Sequence, residues 1–203
     1  SQDPDDLLLR ILLYRFFNKP ETWQAIVRIL GEVTAADFDM EGCGEILDRA
    51  LAHGDRSHAA GYIVPPPPLG NQRKRRTHLA LIETMIDSGL AHSLQQAEGL
   101  ENVFHMLSAF PSLGPFLAFQ LTIDLHYSTL INFDEDDFVV AGPGAISGLT
   151  KCFPDARGIP ASDLIRWMVD TQEEQLAHYE IEFRDLFGRR LKLIDCQNLF
   201  CET

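Results

Sequence analysis

Apolar residues recur at helical intervals along most of this sequence, the spacing that places them on one face of an α-helix. Helices are predicted over residues 5–17, 21–30, 45–52 and 78–88 and from residue 100 onward, with Asp5 or Asp6 capping the first and Thr77 the fourth. Strand patterns are scarce, and Leu191, Leu193 and Ile194 form the best short candidate. The sequence therefore predicts an all-α fold.

The composition permits a core and excludes several classes of protein. The 203 residues, 45% hydrophobic and 23% charged, suit one helical domain over residues 5–203, and residues 1–4 resemble an expression-vector remnant. A net charge of −13 excludes binding to nucleic acid through bulk positive charge, although a local basic patch is compatible with it.

The sequence also indicates the cellular location of the protein. No apolar run approaches the roughly 18 residues that a membrane span needs, and no signal peptide is visible. Four scattered cysteines are too few for a disulfide scaffold, which favours a reducing environment. We therefore expect no membrane partner and an intracellular location, nuclear in a eukaryote and cytoplasmic in a phage-infected or bacterial cell.

Residues 61–76 combine a proline-rich loop with the one dense basic run of the sequence. Four consecutive prolines favour an extended backbone over residues 65–68. The basic run that follows consists of Arg73, Lys74, Arg75 and Arg76. Because lysine and arginine hold the phosphates of a nucleic-acid backbone, this run is predicted to contact DNA.

Residues 100–125 predict a hairpin of two helices. The first helix ends before Pro111, and Pro115 has the position that proline prefers at a helix start. Backbone N–H groups at such a start suit a phosphate, so Ser112 and Gly114 in the turn are predicted to contact DNA. An ordinary turn between two helices is the alternative.

This hairpin resembles the helix-hairpin-helix motif of the base-excision DNA glycosylase superfamily, whose turn usually reads Leu-Pro-Gly-Val-Gly. Ser112 stands at the first glycine of that motif, and Gly114 keeps the second. In the superfamily a catalytic aspartate follows the second glycine, and the corresponding interval here ends at Asp134. Phe116 stands where bifunctional members carry a lysine nucleophile, so the resemblance does not imply a Schiff-base lyase.

The loop over residues 132–145 contains four consecutive carboxylates and then a tight turn. Asp134 is the predicted general base, with Asp136 and Asp137 as the other catalytic candidates. Carboxylates this close repel one another, so the loop needs water, donors or a cation such as magnesium, although no metal-ligand set is predicted. Gly142 and Gly144 flank a proline in the turn, whose N–H groups could approach an anion. A solvated loop and a plain turn are the alternatives.

Four segments together resemble the DNA base-hypermodification proteins of phages and fungi. This family includes the helical domain of 5-hydroxymethyluracil DNA kinases and the α-glutamyl-putrescinyl thymine pyrophosphorylase-like proteins. The segments are residues 15–23, 124–128, 133–144 and 194–202. The resemblance implies a glycosylase-like, all-helical fold that acts on or presents a thymine-derived base.

The resemblance also implies a reaction. The substrate would be 5-hydroxymethyluracil or its phosphorylated form in DNA, flipped out of the duplex and substituted at the exocyclic methylene. Two alternatives stay open: a non-catalytic DNA-binding module that accompanies a 5-hydroxymethyluracil DNA kinase, and a base-excision glycosylase. Because no Gly-Lys-Ser/Thr phosphate loop is present, a kinase domain or a separate kinase is a candidate partner.

The candidate substrate-binding residues have three kinds of chemistry. Aromatic rings would stack on the extruded base, Arg15 and the glycine turn would receive the departing phosphate, and amide side chains would read a pyrimidine edge. The set is Arg15, Asn18, Tyr62, Tyr127, Phe133, Gly142, Gly144, Asp195, Gln197 and Asn198. Alternatively, Arg15 and Asn18 pin the first helix, and Asp195, Gln197 and Asn198 tie the C-terminal segment to the core.

Overall fold

The computed structural model describes residues 2–53, 64–68, 74–184 and 188–203, with the Leu51 side chain left aside. These residues form ten helices and no β-strand, which confirms the predicted all-α fold. The helices are α1 (Pro4–Phe17), α2 (Pro20–Leu30), α3 (Met40–Ala52), α4 (Lys74–Asp87), α5 (Leu90–Gln95), α6 (Leu100–Ser108), α7 (Pro115–His126), α8 (Pro143–Cys152), α9 (Ala161–His178) and α10 (Leu193–Cys201). None of them is long and apolar enough to cross a membrane.

The chain divides into two compact units, Ser1–Asn132 and Phe133–Thr203. The first contains α1 to α7 and the second α8 to α10. We describe each unit by itself, and the expectation of one domain over residues 5–203 stays a prediction.

Helix α1 is the centre of the first unit. It packs against α2, α4, α5 and α7, and most of its apolar side chains are almost completely buried. The buried set is Leu8, Leu9, Leu12, Leu13, Phe16 and Phe17. The helix is capped by Asp3, whose carboxylate accepts the N–H of Asp5 at 3.0 Å, so the cap predicted at Asp5 or Asp6 is wrong by two or three residues. The apolar residues of this helix are not confined to the buried stripe, since Leu7 and Ile11 are half-buried and Tyr14 is exposed on another face.

Helix α4 begins earlier than its apolar spacing predicts. It starts at Lys74 instead of after Thr77, whose hydroxyl donates to the Lys74 carbonyl at 2.7 Å inside the first turn. The basic side chains of this turn have partners on α3: Arg75 is bonded to Asp48, and Arg76 lies 2.8 Å from the carboxylate of Glu41. Ion pairs with α3 therefore stabilise helical structure at residues 74–77, which the sequence predicts to precede the helix.

Helices α6 and α7 form the predicted hairpin. Their connection runs through Ser112, whose φ of 67° lies in the left-handed region that favours glycine. Leu113 is buried beneath the turn, and α7 begins after Gly114 with Pro115 in its first turn. The hairpin is thus present, and its relation to the helix-hairpin-helix superfamily stays a prediction.

In the second unit, α8 and α10 approach each other through glycines. A Cβ atom at Gly148 would lie 2.0 Å from the Phe200 carbonyl oxygen, and one at Gly144 would lie 2.3 Å from the Cys201 sulfur. Gly148 faces backbone and admits no side chain while the helices keep their spacing, whereas at Gly144 the neighbouring atom belongs to a cysteine side chain. Close packing is therefore the structural use of Gly148.

The strand predicted around Leu191 is wrong, because Leu193 and Ile194 open α10. The Asp195 carboxylate accepts the backbone N–H of Lys192 at 2.8 Å and so caps the helix start.

Candidate functional site

A pocket in the Ser1–Asn132 unit brings together two of the segments that carry the family resemblance. It encloses about 460 Å³ between one face of α1, the start of α2 and the end of α7. The lining consists of Leu7, Arg10, Ile11, Tyr14, Arg15, Asn18, Trp23, Asp124, Tyr127 and Ser128. The α1 residues recur at helical spacing, so one continuous face of that helix forms the pocket wall.

An ion pair joins the two sides of this pocket. The Arg15 guanidinium donates through Nε and one terminal nitrogen to the two carboxylate oxygens of Asp124, a bidentate arrangement. The side chains are 17% and 28% exposed, so the pair is largely withdrawn from solvent. Burial raises the pKa of Asp124 above its usual value, and Arg15 opposes that rise. Asp124 is therefore a more basic carboxylate than an ordinary aspartate.

Three aromatic side chains flank the ion pair. Tyr14 and Tyr127 are 48% and 62% exposed, and the rings of Tyr14 and Trp23 meet edge to face with centroids 6.4 Å apart. Exposed aromatic surface in a concave site offers a planar ligand a face on which to stack. The pocket thus combines flat apolar surface with a charged hydrogen-bonding centre.

Asn18 both ends α1 and lines the pocket. Its backbone adopts a φ of 29°, and its N–H donates to the Tyr14 carbonyl at 2.6 Å. Asparagine tolerates such conformations better than most residues. The capping role considered for Asn18 is therefore observed in the structure, and it is compatible with the predicted contact to substrate.

The carboxylates of residues 134–137 form a second charged cluster, in the Phe133–Thr203 unit. The Lys192 ammonium lies 3.1 Å from Asp134 Oδ1 and 2.7 Å from Asp136 Oδ2. Arg166 donates to the backbone carbonyls of Asp136 and Asp137 at 3.0 and 2.6 Å. Donors from α9 and from the segment before α10 thus relieve the repulsion between these carboxylates.

The hydrogen bonds of this cluster lower the proton affinity of Asp134. The N–H of Asp136, then the Lys192 ammonium, bind the ionised form and lower the pKa of Asp134. The Asp136 carboxylate in turn raises the pKa of Lys192. A carboxylate with a lowered pKa is a weak proton acceptor at neutral pH, and the catalytic role of Asp134, Asp136 or Asp137 stays a prediction. Within the described residues, no three His, Cys, Asp or Glu side chains are placed to hold a metal ion.

The predicted base-reading residues of α10 make internal contacts. Gln197 is fully buried, and its Oε1 accepts the N–H of Gly142 at 3.1 Å while its Nε2 donates to Asn198 at 2.6 Å. Asp195 lies 2.5 Å from the Arg189 guanidinium. These contacts correspond to the alternative that the segment is tied to the core, whereas contact with a base stays a prediction.

The basic run is paired within the first unit. Arg75 is buried against Asp48, and Arg76 reaches both Asp48 and Glu41. Burial lowers the pKa of Lys74. Two of the predicted DNA-binding cations therefore have carboxylate partners on α3, and their role toward DNA stays a prediction.

Two of the predicted site residues, Tyr62 and Arg73, lie outside the described residues. Phe133 is half-buried, Ser112 is half-buried and Gly114 is exposed, so the hairpin turn is open to a ligand on one side.

Sequence reasoning missed four residues of these two clusters: Asp124, Trp23, Arg166 and Lys192. Asp124 and Trp23 lie inside segments that resemble the family, so that resemblance was the available signal. Lys192 and Arg166 gave none, because their partners are 29 to 58 residues away in the chain.

The fold and these clusters define an all-helical domain with an aromatic-lined pocket around a bidentate arginine–carboxylate pair. The chain belongs to the family described as the 5-hmdU DNA kinase helical domain, whose sequence model matches residues 1–203. It is 23% identical over 212 residues to a 5-hmdU DNA kinase of Bacillus phage SP10, covering 97% of this chain and 33% of that relative. The chain therefore spans about one third of the relative's length, and no solved structure matches it significantly. The resemblance inferred from four segments is confirmed at the level of the family.

Proposed function

We propose that this chain is a substrate-recognition domain for the modification of 5-hydroxymethyluracil in DNA and that it binds the extruded base in the Arg15–Asp124 pocket. One observation carries the proposal: two segments more than 100 residues apart converge on a concave site that has both stacking surfaces and a hydrogen-bonding centre. The family and the relative, whose name is 5-hmdU DNA kinase, supply the substrate class. A kinase domain or separate kinase would supply the phosphoryl-transfer machinery.

The pocket has the chemistry that an extruded pyrimidine needs. A base inside a duplex is inaccessible, so a protein that acts on it must extrude it and replace the lost stacking. Tyr14, Trp23 and Tyr127 offer that stacking, which is worth about 1–3 kcal/mol per base. The Asp124 carboxylate provides acceptors for the imide N–H or the hydroxymethyl O–H of the base, and the Asn18 amide provides both donors and acceptors.

Contact with the DNA backbone has to be local, because the chain carries a net charge of −13. The turn before α7 exposes Gly114 at the start of a helix of 12 residues, where the positive end of the helix dipole favours a phosphate oxygen. Binding through few phosphates predicts a shallow dependence of affinity on salt. A DNA substrate also places the protein where DNA is, in the nucleus of a eukaryote or the cytoplasm of a bacterium.

Substitution at the exocyclic methylene is the second candidate function. Asp124 favours it, since a carboxylate whose pKa is raised by burial accepts a proton from an incoming amine more readily than Asp134 does. In that reaction Arg15 lies next to the reacting centre and would hold the departing phosphate.

Fluorescence of Trp23 tests the proposed function directly. The chain has two tryptophans, so a Trp167→Phe variant leaves Trp23 as the only one. We expect a single-stranded oligonucleotide with one 5-hydroxymethyluracil to quench Trp23 and to bind more tightly than the same oligonucleotide with thymine. Tyr127→Ala should weaken binding about ten-fold, the effect of one lost stacking partner.

Tyr179→Ala is the matched control, because Tyr179 is 66% exposed but lies in the other unit. Equal affinity of the Tyr127→Ala and Tyr179→Ala proteins would overturn the pocket assignment. Intact-mass analysis of the oligonucleotide, with amines and magnesium present, separates the chemical alternatives. A gain or exchange of mass on the base supports substitution, loss of the base indicates a glycosylase, and binding without mass change supports recognition alone.

A further inference from the structure

The Phe133–Thr203 unit exposes an unusual share of apolar surface. Seven of the eleven most exposed large hydrophobic side chains among the described residues belong to this unit, which is about a third of the chain. Five of them line a single groove: Trp167, Tyr179, Ile181, Phe183 and Leu199. Apolar surface gathered at one place marks a binding site more often than scattered exposure does.

The groove encloses about 580 Å³ between α9, α10 and the segment that follows α9. Its floor is a set of aromatic rings, with Phe153 edge to face against Trp167 at 5.9 Å and against Phe200 at 6.0 Å. Gln172 is buried in it, but its amide is bonded to the backbone carbonyl and N–H of Leu191 at 3.0 and 2.8 Å. None of the described residues that line the groove is charged, so the groove selects an apolar occupant by shape.

The rim of the groove adds a charge preference. Glu180 and Glu182 alternate with lining residues in the segment after α9, and Glu202 precedes the lining residue Thr203. All three carboxylates are exposed. Among the cations next to lining residues, Arg190 and Lys192 pair with Asp136 and Arg166 donates to the backbone carbonyls of Asp136 and Asp137, so these three are directed to the acidic loop. An occupant with basic residues beside an apolar face complements this rim. A second copy of the chain would instead bring the same carboxylates together.

We propose that this groove is the docking site for a basic amphipathic helix of the kinase polypeptide that accompanies this domain. The length comparison supports this occupant, since the phage SP10 relative has twice as much chain outside the match as within it. A helix laid in the groove would insert apolar side chains at i, i+3, i+4 and i+7 and place lysine or arginine beside Glu180, Glu182 and Glu202. The proposal concerns a protein contact and does not depend on the proposed binding of a base.

A variant with a single tryptophan tests the docking proposal in the Phe133–Thr203 unit. A Trp23→Phe variant of the 203-residue chain leaves Trp167 in the groove as the only tryptophan. The probes are overlapping synthetic peptides of about 20 residues, roughly five helical turns, that cover the part of the phage SP10 kinase outside the match. We expect one or a few basic amphipathic peptides to shift Trp167 emission to shorter wavelength, and their scrambled versions to have no effect.

Leu199→Asp should weaken this binding at least about ten-fold, because it puts a charge into the apolar groove. Ile29→Asp is the matched control, since Ile29 is 54% exposed and Leu199 is 55% exposed, but Ile29 lies in the first unit. Circular dichroism of both variants is the check that the helices are retained. No readout involves DNA, so failure of base binding and failure of docking are separate results.

Three results would overturn the proposal. The first is the absence of binding by every peptide, and the second is equal loss of binding in the Leu199→Asp and Ile29→Asp proteins. The third is a dimer in sedimentation that dissociates only in the Leu199→Asp protein, which would make a second copy the occupant of the groove.

Discussion

The two charged clusters consist of the same groups, aspartates bonded to cationic side chains, but they differ in proton affinity. In the first unit the Arg15–Asp124 pair is largely buried, and the pKa of Asp124 is raised because removal from water outweighs the attraction of Arg15. In the second unit the Asp134 side chain is 60% exposed, and hydrogen bonds from Asp136 and Lys192 lower its pKa. The comparison shows that burial, more than the number of nearby cations, separates a basic carboxylate from an inert one.

This difference matters for function because the sequence draws attention to the carboxylates of lower proton affinity. Four consecutive acidic residues attract attention in a sequence, whereas Asp124 is a single carboxylate in an otherwise apolar helix. The structure places Asp124 in a pocket with stacking surfaces and gives the acidic loop donors on several sides. We therefore regard Asp124 as the better candidate for contact with substrate.

The largest expected effect is on stability, from breaking the buried pair. Arg15→Leu leaves the Asp124 carboxylate without its bidentate partner in a site that is largely closed to water, so the free energy of unfolding should fall by about 2 kcal/mol. Urea denaturation followed by Trp23 fluorescence measures this loss. The double variant Arg15→Leu/Asp124→Leu should recover most of it, because no unpaired charge remains.

Arg49→Leu provides the control for this experiment. Arg49 pairs with Glu45 at 2.8 Å in the same unit, but the two side chains are 71% and 54% exposed. Such a pair contributes only about 0.3–0.5 kcal/mol. A loss as large for Arg49→Leu as for Arg15→Leu would contradict the role assigned to burial.

A smaller loss of stability is expected from breaking the ion pairs of the second unit. Lys192→Met removes the ammonium that contacts Asp134 and Asp136. The Asp134 side chain is 60% exposed and regains water, and the Asp136 side chain, 21% exposed, keeps Arg190 and the Leu193 N–H as partners. We expect a loss below about 1 kcal/mol, measured by denaturation followed by Trp167. Lys151→Met, at an exposed lysine of the same unit, is the comparison. A loss above 2 kcal/mol for Lys192→Met would mean that this cluster is as dependent on pairing as the buried one.

The sequence predicted the helices whose apolar faces pack locally. The predicted helix over residues 21–30 differs from α2 by one residue, and the hairpin of α6 and α7 was predicted with its turn. Failures occur where distant side chains decide the backbone. Helix α4 begins early because Asp48 and Glu41 hold its basic first turn, and α10 replaces a predicted strand because Asp195 caps it.

For the candidate site too, the sequence predicted individual residues but not the contacts between distant segments. Arg15, Asn18 and Tyr127 were each predicted as substrate-binding residues, and the structure places all three in one pocket. Their convergence with Trp23 and Asp124 could not be predicted, because it depends on the packing of α7 against α1. Gln197 is fully buried, which the spacing of polar residues does not reveal, and its contact with a base stays a prediction.

The smallest expected effect is on pH dependence, and it tests the comparison most directly. Because the pKa of Asp124 is raised on folding, its contribution to stability is present in full below the unfolded value and is lost as pH rises through the folded value. For Asp134 the pKa is lowered, so its contribution is present above the unfolded value and is lost as pH falls through the folded value.

Carboxyl-carbon NMR shifts recorded from acid to neutral pH should therefore show Asp124 titrating at higher pH than Asp134. Lys192→Met should move the Asp134 transition up toward the ordinary aspartate value, with Asp124 as the internal reference. If Asp134 instead titrates above Asp124, burial does not control these two carboxylates, and the preference for the Arg15–Asp124 pocket loses its electrostatic basis.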